Sequence, residues 1–254
     1  MTVGHAALPR TSDLRRLPYR AQAVLRRPAR SVVSRRWNVH VHGEHNVPAT
    51  GRVLLACNHI GWFDGPLMVI RAPRTIHALV KHEMFVGRIG LLLRFVGQIP
   101  VERTTIDVRA VRVAIRALRD DRVVAVWPEG TRGDGEIRMM KRGLAYLALV
   151  TGAPIVPVAV LGTRAEGESV SGMPPPGRRI DVVYGEPVHV DAVPWPRTRE
   201  SVEALTRSVQ GVLIENVERA VKVSGQQLPG PAPDEEAKES DMIGRTGDEP
   251  QEDR

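Results

Sequence analysis

The chain has 254 residues, of which 42% are hydrophobic and 26% are charged, a balance typical of a soluble globular protein with one sizeable core. Its single cysteine, Cys57, excludes an intrachain disulfide and is compatible with a reducing compartment. No apolar run approaches the roughly 18 to 20 residues that cross a bilayer, and the N-terminus lacks the apolar core of a secretory signal. The sequence therefore predicts one domain in the cytosol, either free or lying on a membrane.

The net charge of +7 is unevenly distributed along the chain. Residues 1–37 carry nine arginines against one acid, a net charge of +8, whereas residues 229–254 carry a net charge of −6. The basic end predicts an anionic surface as partner, which is either lipid or nucleic acid. We favour lipid and expect no nucleic-acid partner, because no zinc, recognition-helix or RNA-binding signature occurs.

The first predicted element is a basic N-terminal arm, residues 1–37. Residues 1–12 are predicted to be disordered, and from Leu14 onward apolar residues recur at helical spacing. Pro18 and Pro28 are expected to restrict the arm to short helical pieces. We expect the arm to lie on an anionic membrane surface, and the alternative is a solvated arm that covers the domain.

Strands and helices then alternate over residues 38–223, which predicts a single α/β domain with one core. Strands are predicted at 38–43, 53–57, 75–81, 98–102, 123–127, 155–161 and 179–184. Helices are predicted at 66–71, 107–120, 143–150 and 202–223. The apolar stretch 85–95 is either a buried helix or a surface that meets lipid or an acyl chain. Pro157 predicts a sheet edge or a bulge at its position, and residues 224–254 are predicted to form a disordered acidic tail.

A polar turn after the second predicted strand carries the main candidate for chemistry. His59 lies just beyond the strand and Asp64 lies at the start of the next helix, while Gly61 and Gly65 let the turn bring the two side chains together. A carboxylate bonded to one imidazole nitrogen fixes the tautomer and leaves the other nitrogen to take a proton. With no obvious serine beside the pair, we expect a histidine base that activates a substrate hydroxyl. The alternative is that Asp64 only caps the helix. Cys57 is interpreted as a small buried residue rather than a catalytic thiol.

Charged residues also follow other predicted strands. Arg103, Glu129 and Arg132 each come directly after a strand, as His59 does. Because ligands of α/β proteins gather outside the carboxyl ends of the strands, we expect these side chains to converge. Arginines at such a place suit a phosphate, which a guanidinium binds with two hydrogen bonds.

These segments resemble the motifs of the glycerophospholipid acyltransferases, the 1-acylglycerol-3-phosphate acyltransferase family. Asn58-His59 with Asp64 is similar to the family's NHxxxxD motif, and Pro128-Glu129-Gly130-Thr131-Arg132 is similar to its PEGTRS motif. Four further segments resemble family motifs in the same order, namely 81–85, 97–103, 141–143 and 156–159. Gly133 stands where the family usually has serine, which removes one hydroxyl without removing a catalytic group.

The resemblance implies a single α/β domain with a mixed, mostly parallel sheet flanked by helices. It implies transfer of an acyl group from acyl-CoA or acyl-carrier protein to the free hydroxyl of 1-acylglycerol 3-phosphate (lysophosphatidate), which gives phosphatidate. His59 and Asp64 would be the catalytic residues. The residues that would bind substrate are Asn58, Lys81, Arg103, Glu129, Gly130, Thr131 and Arg132.

Individual roles follow from the same resemblance. Arg132 and Arg103, with Lys81, would hold the acceptor phosphate, Glu129 would bond a glycerol hydroxyl or orient an arginine, and Asn58 would brace the turn. No metal ion is expected, and no cofactor besides the acyl thioester co-substrate. The expected location is the cytoplasmic face of the cell membrane, bound peripherally without a transmembrane helix. The alternatives are an acyltransferase for another acceptor (glycerol 3-phosphate, another lysophospholipid or a glycolipid) and a non-catalytic protein that binds anionic lipid.

Overall fold

Seven strands form one sheet in the computed structural model, which describes residues 9–232. In chain order the strands are β1 (Asn38–His42), β2 (Val53–Cys57), β3 (Ile76–Lys81), β4 (Ile99–Val101), β5 (Val123–Val126), β6 (Ile155–Leu161) and β7 (Arg179–Tyr184). Their spatial order is β1-β7-β6-β2-β5-β3-β4. Strands β6 and β7 are antiparallel, and all other neighbours are parallel. The predicted α/β class with a mixed, mostly parallel sheet is confirmed.

Six α-helices accompany the sheet in the described part of the chain. They are α1 (Arg20–Arg36), α2 (Asp64–Arg71), α3 (Gly87–Phe95), α4 (Val108–Arg119), α5 (Gly143–Thr151) and α6 (Arg199–Ser224). Side chains from α4, α5 and α6 form the apolar layer on one face of the sheet, and those from α1 and α2 form the layer on the other face. All five residues of β2 are buried, because this central strand is covered on both faces.

Local sequence signals set several element ends. Asp107 caps α4, since its Oδ1 accepts a hydrogen bond from the backbone N–H of Ala110 at 2.8 Å. Gly152 ends α5 in the left-handed conformation with φ of +65°, where a side chain would be strained. Such interactions need only neighbouring residues, which is why the predicted bounds of these helices lie within a residue or two of the observed ones.

The N-terminal arm is more regular than predicted, because α1 continues through Pro28. Proline removes the hydrogen bond to the carbonyl four residues earlier. That residue, Val24, is 68% exposed, so water can hydrate the carbonyl. Three polar side chains fasten the helix to backbone groups of residues 70–76, namely Gln22, Arg26 and Arg30. These tertiary contacts offset the cost of the proline, and the prediction of short helical pieces is wrong.

Pro157 lies in an internal strand, so the sheet-edge alternative is wrong. Its strand, β6, lies between β2 and β7. The ladder with β7 reaches only the Val158–Tyr184 pair. Beyond it, the N–H of Gly185 donates to the Pro157 carbonyl at 2.7 Å, and Ile155 forms a bridge with Val188. Pro157 therefore occupies an interruption of the ladder, which is compatible with its missing N–H.

The predicted disordered ends also need correction where the structure describes them. Residues 9–12 lie against α4, whose arginines donate hydrogen bonds to their carbonyl groups. After α6, Gln226 donates a hydrogen bond to the buried carboxylate of Asp181, and Leu228 packs on the core. The remaining residues of the predicted disordered ends, 1–8 and 233–254, lie outside the described part of the chain.

The apolar stretch 85–95 forms helix α3 and the residues before it, at the β4 edge of the sheet. The sequence left open whether this helix is buried or meets lipid. Five large apolar side chains there are exposed, and we call them the α3 apolar face: Val86 (70%), Ile89 (58%), Leu91 (69%), Leu92 (53%) and Phe95 (60%). The interpretation of α3 as a buried helix is therefore wrong.

Candidate active site

The candidate residues lie at one edge of the sheet. Strands β6, β2, β5, β3 and β4 run in parallel, so their carboxyl ends point the same way. His59 follows β2, Glu129 and Arg132 follow β5, and Arg103 follows β4. Because β2 and β5 are neighbours, the turn after β2 and the loop after β5 are in direct contact. The backbone N–H of Gly133 donates to the carbonyl of His59 at 2.9 Å.

Asp64 organises the turn between β2 and α2. Its Oδ2 accepts hydrogen bonds from His59 Nδ1 at 2.9 Å and from the backbone N–H groups of Ile60 at 2.8 Å and Gly61 at 2.9 Å. The carboxylate is completely buried, whereas the His59 side chain keeps 16% of its surface exposed. His59 is therefore oriented through Nδ1, and Nε2 is the ring nitrogen left to meet a substrate. The geometry matches the predicted histidine base and makes Asp64 more than a helix cap.

The second oxygen of Asp64 has a partner that the sequence analysis missed. Thr163 Oγ1 donates to Asp64 Oδ1 at 2.5 Å, and Thr163 is 2% exposed. Thr163 lies two residues beyond β6, at the same edge of the sheet as the other candidates. The signal that could have found it is its position after a strand, which is the rule that selected Arg103 and Arg132.

Asn58 braces the turn as expected. Its side-chain amide donates to the carbonyl of Val160 at 3.1 Å, and its Oδ1 accepts from the N–H of the same residue at 2.7 Å. These two bonds extend the pairing of β2 with β6 past the last strand residue. The side chain is completely buried, so a residue without both a donor and an acceptor would leave backbone groups unsatisfied.

Glu129 contacts the backbone of the turn after β2. Its Oε1 accepts a hydrogen bond from the backbone N–H of His59 at 2.8 Å. The sequence analysis predicted a bond to a glycerol hydroxyl or to an arginine, and this contact is neither of them. Burial raises the pKa of Glu129 to about 8, and the hydrogen bond from His59 only partly counters this effect. Glu129 thus fixes the position of the His59 backbone, although burial disfavours the charged form of Glu129 itself.

The raised pKa of Glu129 predicts a pH-dependent stability. Between its ordinary pKa of 4.5 and about 8 the folded protein binds more protons at this site than the unfolded chain, so stability falls as pH rises through this window. Glutamine keeps an acceptor for His59 but cannot ionise. The melting temperature of Glu129→Gln relative to the wild type should therefore increase from pH 6 to pH 9 in thermal melts.

A matched control for this experiment is Glu203→Gln, because Glu203 pairs with Arg199 at 2.7 Å and this hydrogen bond lowers its pKa. Its melting temperature relative to the wild type should stay constant over the same pH range. A constant difference for Glu129→Gln as well would contradict the assigned proton binding at Glu129.

Gly130 allows a close approach of three charged segments. It has φ of +75°, and a Cβ there would lie 2.7 Å from Cε of Lys141. Arg103 Nη1 donates to the Gly130 carbonyl at 2.6 Å, and Lys141 Nζ lies 3.5 Å from the Arg103 carbonyl. The loop after β5 and the end of β4 therefore meet, as predicted from their strand positions.

The described contacts of the other predicted binding residues are with residues other than His59 and Asp64. Arg132 Nη1 donates to the hydroxyl of Ser171 at 3.3 Å. Lys81 ends β3 beside β4, but its ammonium pairs with Glu83 at 3.2 Å. Thr131 is half buried in the same loop as Arg132. The phosphate-binding roles of these residues stay predictions.

Cys57 does not belong to the site. It is completely buried at the end of β2, and burial raises the pKa of its thiol far above the ordinary value. A thiol in this state is a poor nucleophile, since the thiolate is the reactive form. The interpretation of Cys57 as a small buried residue agrees with its position.

Comparison with known proteins indicates which family this chain resembles. A family model described as Acyltransferase matches residues 38–161, which include β1 to β6 and all the site residues predicted from the sequence. The 1-acyl-sn-glycerol-3-phosphate acyltransferase of Bacillus subtilis is 29% identical over 180 residues, which cover 70% of this chain and 87% of that protein. These matches support the glycerophospholipid acyltransferase family, whose motifs the chain resembles. The chain is an acyltransferase.

Two further similarities agree with this family assignment. The enzyme of the same name from Borreliella burgdorferi is 32% identical over 127 residues, which cover 48% of this chain and 51% of that protein. The crystal structure of the 1-acyl-sn-glycerophosphate acyltransferase PlsC from Thermotoga maritima superposes with a TM-score of 0.61 and 25% identity. That superposition covers 79% of this chain and 78% of the other. The α/β fold and the acyltransferase class therefore have support independent of the motifs.

The helices of this acyltransferase were compared with the length and hydropathy that a membrane span requires. Within residues 9–232, the structure has no helix that combines the length and the apolar character needed to cross a bilayer. This finding agrees with the expectation from hydropathy.

Proposed function

We propose that this acyltransferase moves a fatty acyl group from an acyl thioester to the free hydroxyl of 1-acylglycerol 3-phosphate, which gives phosphatidate. The acyl thioester is acyl-CoA or acyl-carrier protein. The observation that carries the proposal is the His59–Asp64 pair, 2.9 Å apart, at a sheet edge that also carries Arg103 and Arg132. The names of the similar proteins from Bacillus subtilis and Borreliella burgdorferi support the choice of acceptor.

In the proposed reaction His59 acts as a general base. Its Nε2 takes the proton of the acceptor hydroxyl while the hydroxyl oxygen attacks the thioester carbonyl carbon. The new C–O bond forms, the C–S bond breaks, and the departing thiolate takes the proton from the imidazolium. Asp64 stabilises that imidazolium through Nδ1, as its hydrogen bond geometry permits. No covalent bond to the enzyme forms at any step.

The acceptor phosphate is proposed to bind the guanidinium groups of Arg132 and Arg103, with Lys81 at the margin of the site. Arg103 lies against the Gly130 carbonyl, in the loop that contacts His59 through Gly133. A phosphate held there would place its glycerol hydroxyl near the dyad. Charge-assisted bonds from guanidinium groups to phosphate oxygens are among the stronger hydrogen bonds in proteins.

We also propose that the enzyme binds peripherally to the cytoplasmic face of the membrane. The α3 apolar face supports this location, because it presents five large apolar side chains that are 53% to 70% exposed. Arg88 and Arg94 on the same helix are exposed and would meet anionic headgroups. The N-terminal arm contributes further exposed arginines, although Arg26 and Arg30 are used to fasten α1.

A panel of acceptors tests the proposed function. Purified protein is incubated with radiolabelled acyl-CoA, and in parallel with acyl-carrier protein, and is offered lysophosphatidate, glycerol 3-phosphate, a choline-bearing lysophospholipid or a glycolipid. We expect kcat/KM for lysophosphatidate to exceed the others by about tenfold or more. A site built for a phosphate monoester rejects the choline-bearing lysophospholipid and the glycolipid, and glycerol 3-phosphate lacks the acyl chain whose burial contributes to binding. Preference for another acceptor would overturn the assigned substrate, and absence of transfer to every acceptor would overturn the activity.

Arg132→Ala tests the phosphate site within the same assay. A charge-assisted hydrogen bond contributes on the order of 1.5–3 kcal/mol, so KM for lysophosphatidate should rise by about 10–100-fold. The KM for the acyl donor should change little. Arg138→Ala is the matched control. Arg138 is an exposed arginine in the same loop after β5, where it pairs with Asp134 and Glu136. An unchanged acceptor KM in Arg132→Ala, or an equal loss with a phosphate-free acceptor, would contradict the role of Arg132 in binding phosphate.

A further inference from the structure

Arg164 is a buried cation beside the catalytic turn that the sequence analysis did not select. It follows β6 and is 2% exposed. Its Nε donates to the carbonyl of Ile60 at 2.7 Å, and its Nη2 donates to the carbonyls of Gly133 and Gly230, each at 2.8 Å. One guanidinium therefore connects the turn after β2, the loop after β5 and the segment after α6.

The contact with Ile60 leads directly to the dyad. The peptide group between Ile60 and Gly61 accepts from Arg164 at its carbonyl and donates to Asp64 Oδ2 at its N–H, over 2.9 Å. Asp64 Oδ2 in turn accepts from His59 Nδ1. Hydrogen bonds in such a chain polarise one another in a low-dielectric interior. The charge of Arg164 thus strengthens the donor that holds Asp64 in place.

The contact with Gly133 acts on the other side of His59. Gly133 donates its N–H to the His59 carbonyl at 2.9 Å, while its own carbonyl accepts from Arg164. The two carbonyls that receive Arg164 belong to the residues that flank His59 in space, one in its own turn and one in the loop that carries Arg132. A planar guanidinium with several fixed donors can bridge two such carbonyls, whereas an ammonium is a single point of charge.

We propose that Arg164 is a positioning residue for acyl transfer, which holds the His59 turn and the loop of Arg132 at the separation that the reaction requires. The inference rests on the proposed role of His59. Burying a cation is costly unless hydrogen bonds compensate it. Here the compensating carbonyls include those of Ile60 and Gly133 in the two segments of the site, besides those of Gly230 and Glu168. Arg164 acts through these backbone groups and does not itself contact the acyl group or the acceptor hydroxyl in this proposal.

The test compares Arg164→Gln and Arg164→Lys with the wild type, using lysophosphatidate and acyl-CoA at a temperature well below every melting transition. A small displacement of a catalytic group can cost about 100-fold in rate, so kcat of Arg164→Gln should fall by about 30–100-fold. The KM of either substrate should stay within about threefold, because the binding side chains are retained. Arg164→Lys keeps the charge and one donor to Ile60, so its kcat should lie between those of the wild type and Arg164→Gln.

Arg178→Gln is the matched control. Arg178 lies in the same connection between β6 and β7 and makes two hydrogen bonds to Glu168, at 2.5 and 2.7 Å, without touching the catalytic turn. Its kcat should stay within about twofold of the wild type even if its melting temperature drops. An equal loss of kcat in Arg178→Gln would show that general loosening of this connection is responsible, and would overturn the proposal.

Folded Arg164→Gln with a kcat within about threefold of the wild type would also overturn it. If Arg164→Gln does not fold, Arg164→Lys decides: a reduced kcat with unchanged KM supports positioning, and a wild-type kcat overturns it. His59→Ala in the same assay separates this inference from the proposed function. Retained activity in His59→Ala would refute the dyad mechanism itself, whatever the Arg164 variants show.

Discussion

His59→Ala should lower kcat for acyl transfer by about 10²–10⁴-fold, the contribution expected of a general base. Among the described residues 9–232, two acidic side chains bond this turn: Asp64, which is completely buried, and Glu129, whose Oε1 accepts from the His59 backbone N–H. Neither is placed to replace Nε2. The measurement is a steady-state rate with lysophosphatidate and acyl-CoA on protein whose fold is checked by circular dichroism.

His40→Ala is the matched control for this variant, because His40 is an exposed histidine on β1. Its kcat should equal that of the wild type. Turnover at the wild-type rate by folded His59→Ala would refute the dyad mechanism while leaving the family assignment intact.

Asp64→Asn should lose most of the activity by a different route. Four donors converge on Asp64, from His59, Ile60, Gly61 and Thr163. An asparagine can offer them only one oxygen, so its NH₂ group would face donors and the imidazole would lose its fixed tautomer. We expect both kcat and the melting temperature of Asp64→Asn to fall. The melting temperature of His59→Ala should fall less, because the His59 side chain is not completely buried.

Leu91→Glu combined with Phe95→Glu should weaken binding to anionic liposomes by about 100-fold or more. The two positions are four residues apart on α3 and therefore adjacent on its surface. Burying each of these side chains contributes about 1.5–3 kcal/mol, and glutamate is in addition repelled by anionic headgroups. Liposome co-sedimentation measures the effect, and transfer to a soluble short-chain acceptor should be nearly unchanged.

Met173→Glu combined with Val223→Glu provides the matched control, since both residues are exposed apolar positions outside α3. This control should sediment with liposomes as the wild type does. Unchanged sedimentation of the α3 variant would contradict the role of the α3 apolar face and leave the basic arm as the candidate membrane contact.

Deleting the arm is a poorer test, because Gln22, Arg26 and Arg30 tie α1 into the fold and their loss would destabilise it.

The sequence alone predicted the residues that interact with near neighbours in the chain. His59 and Asp64 are five residues apart in one turn, so their pairing follows from local geometry. Strand ends selected Arg103, Glu129 and Arg132, because parallel strands with intervening helices place their carboxyl ends at one edge. Asn58, directly after β2, was expected to brace the turn, and its two bonds to Val160 agree with that expectation.

The tertiary structure decided what depends on contacts between distant segments. Glu129 bonds the backbone of His59, 70 residues away, and Thr163 reaches Asp64 across 99 residues. The continuous helix α1 depends on carbonyl groups of residues 70–76, which no pattern within the arm reveals. Periodicity showed that 85–95 is apolar, but only the packing showed which side remains uncovered.

Arg164 illustrates the physical reason for this division. A motif records which side chains lie near one another along the chain, whereas the energy of a buried guanidinium depends on which backbone carbonyls the fold brings to it. Those carbonyls belong to Ile60, Gly133 and Gly230, and backbone groups carry no sequence signature. The sequence therefore predicted the dyad and the family of the fold, and the tertiary structure determined which groups hold the two dyad residues in position.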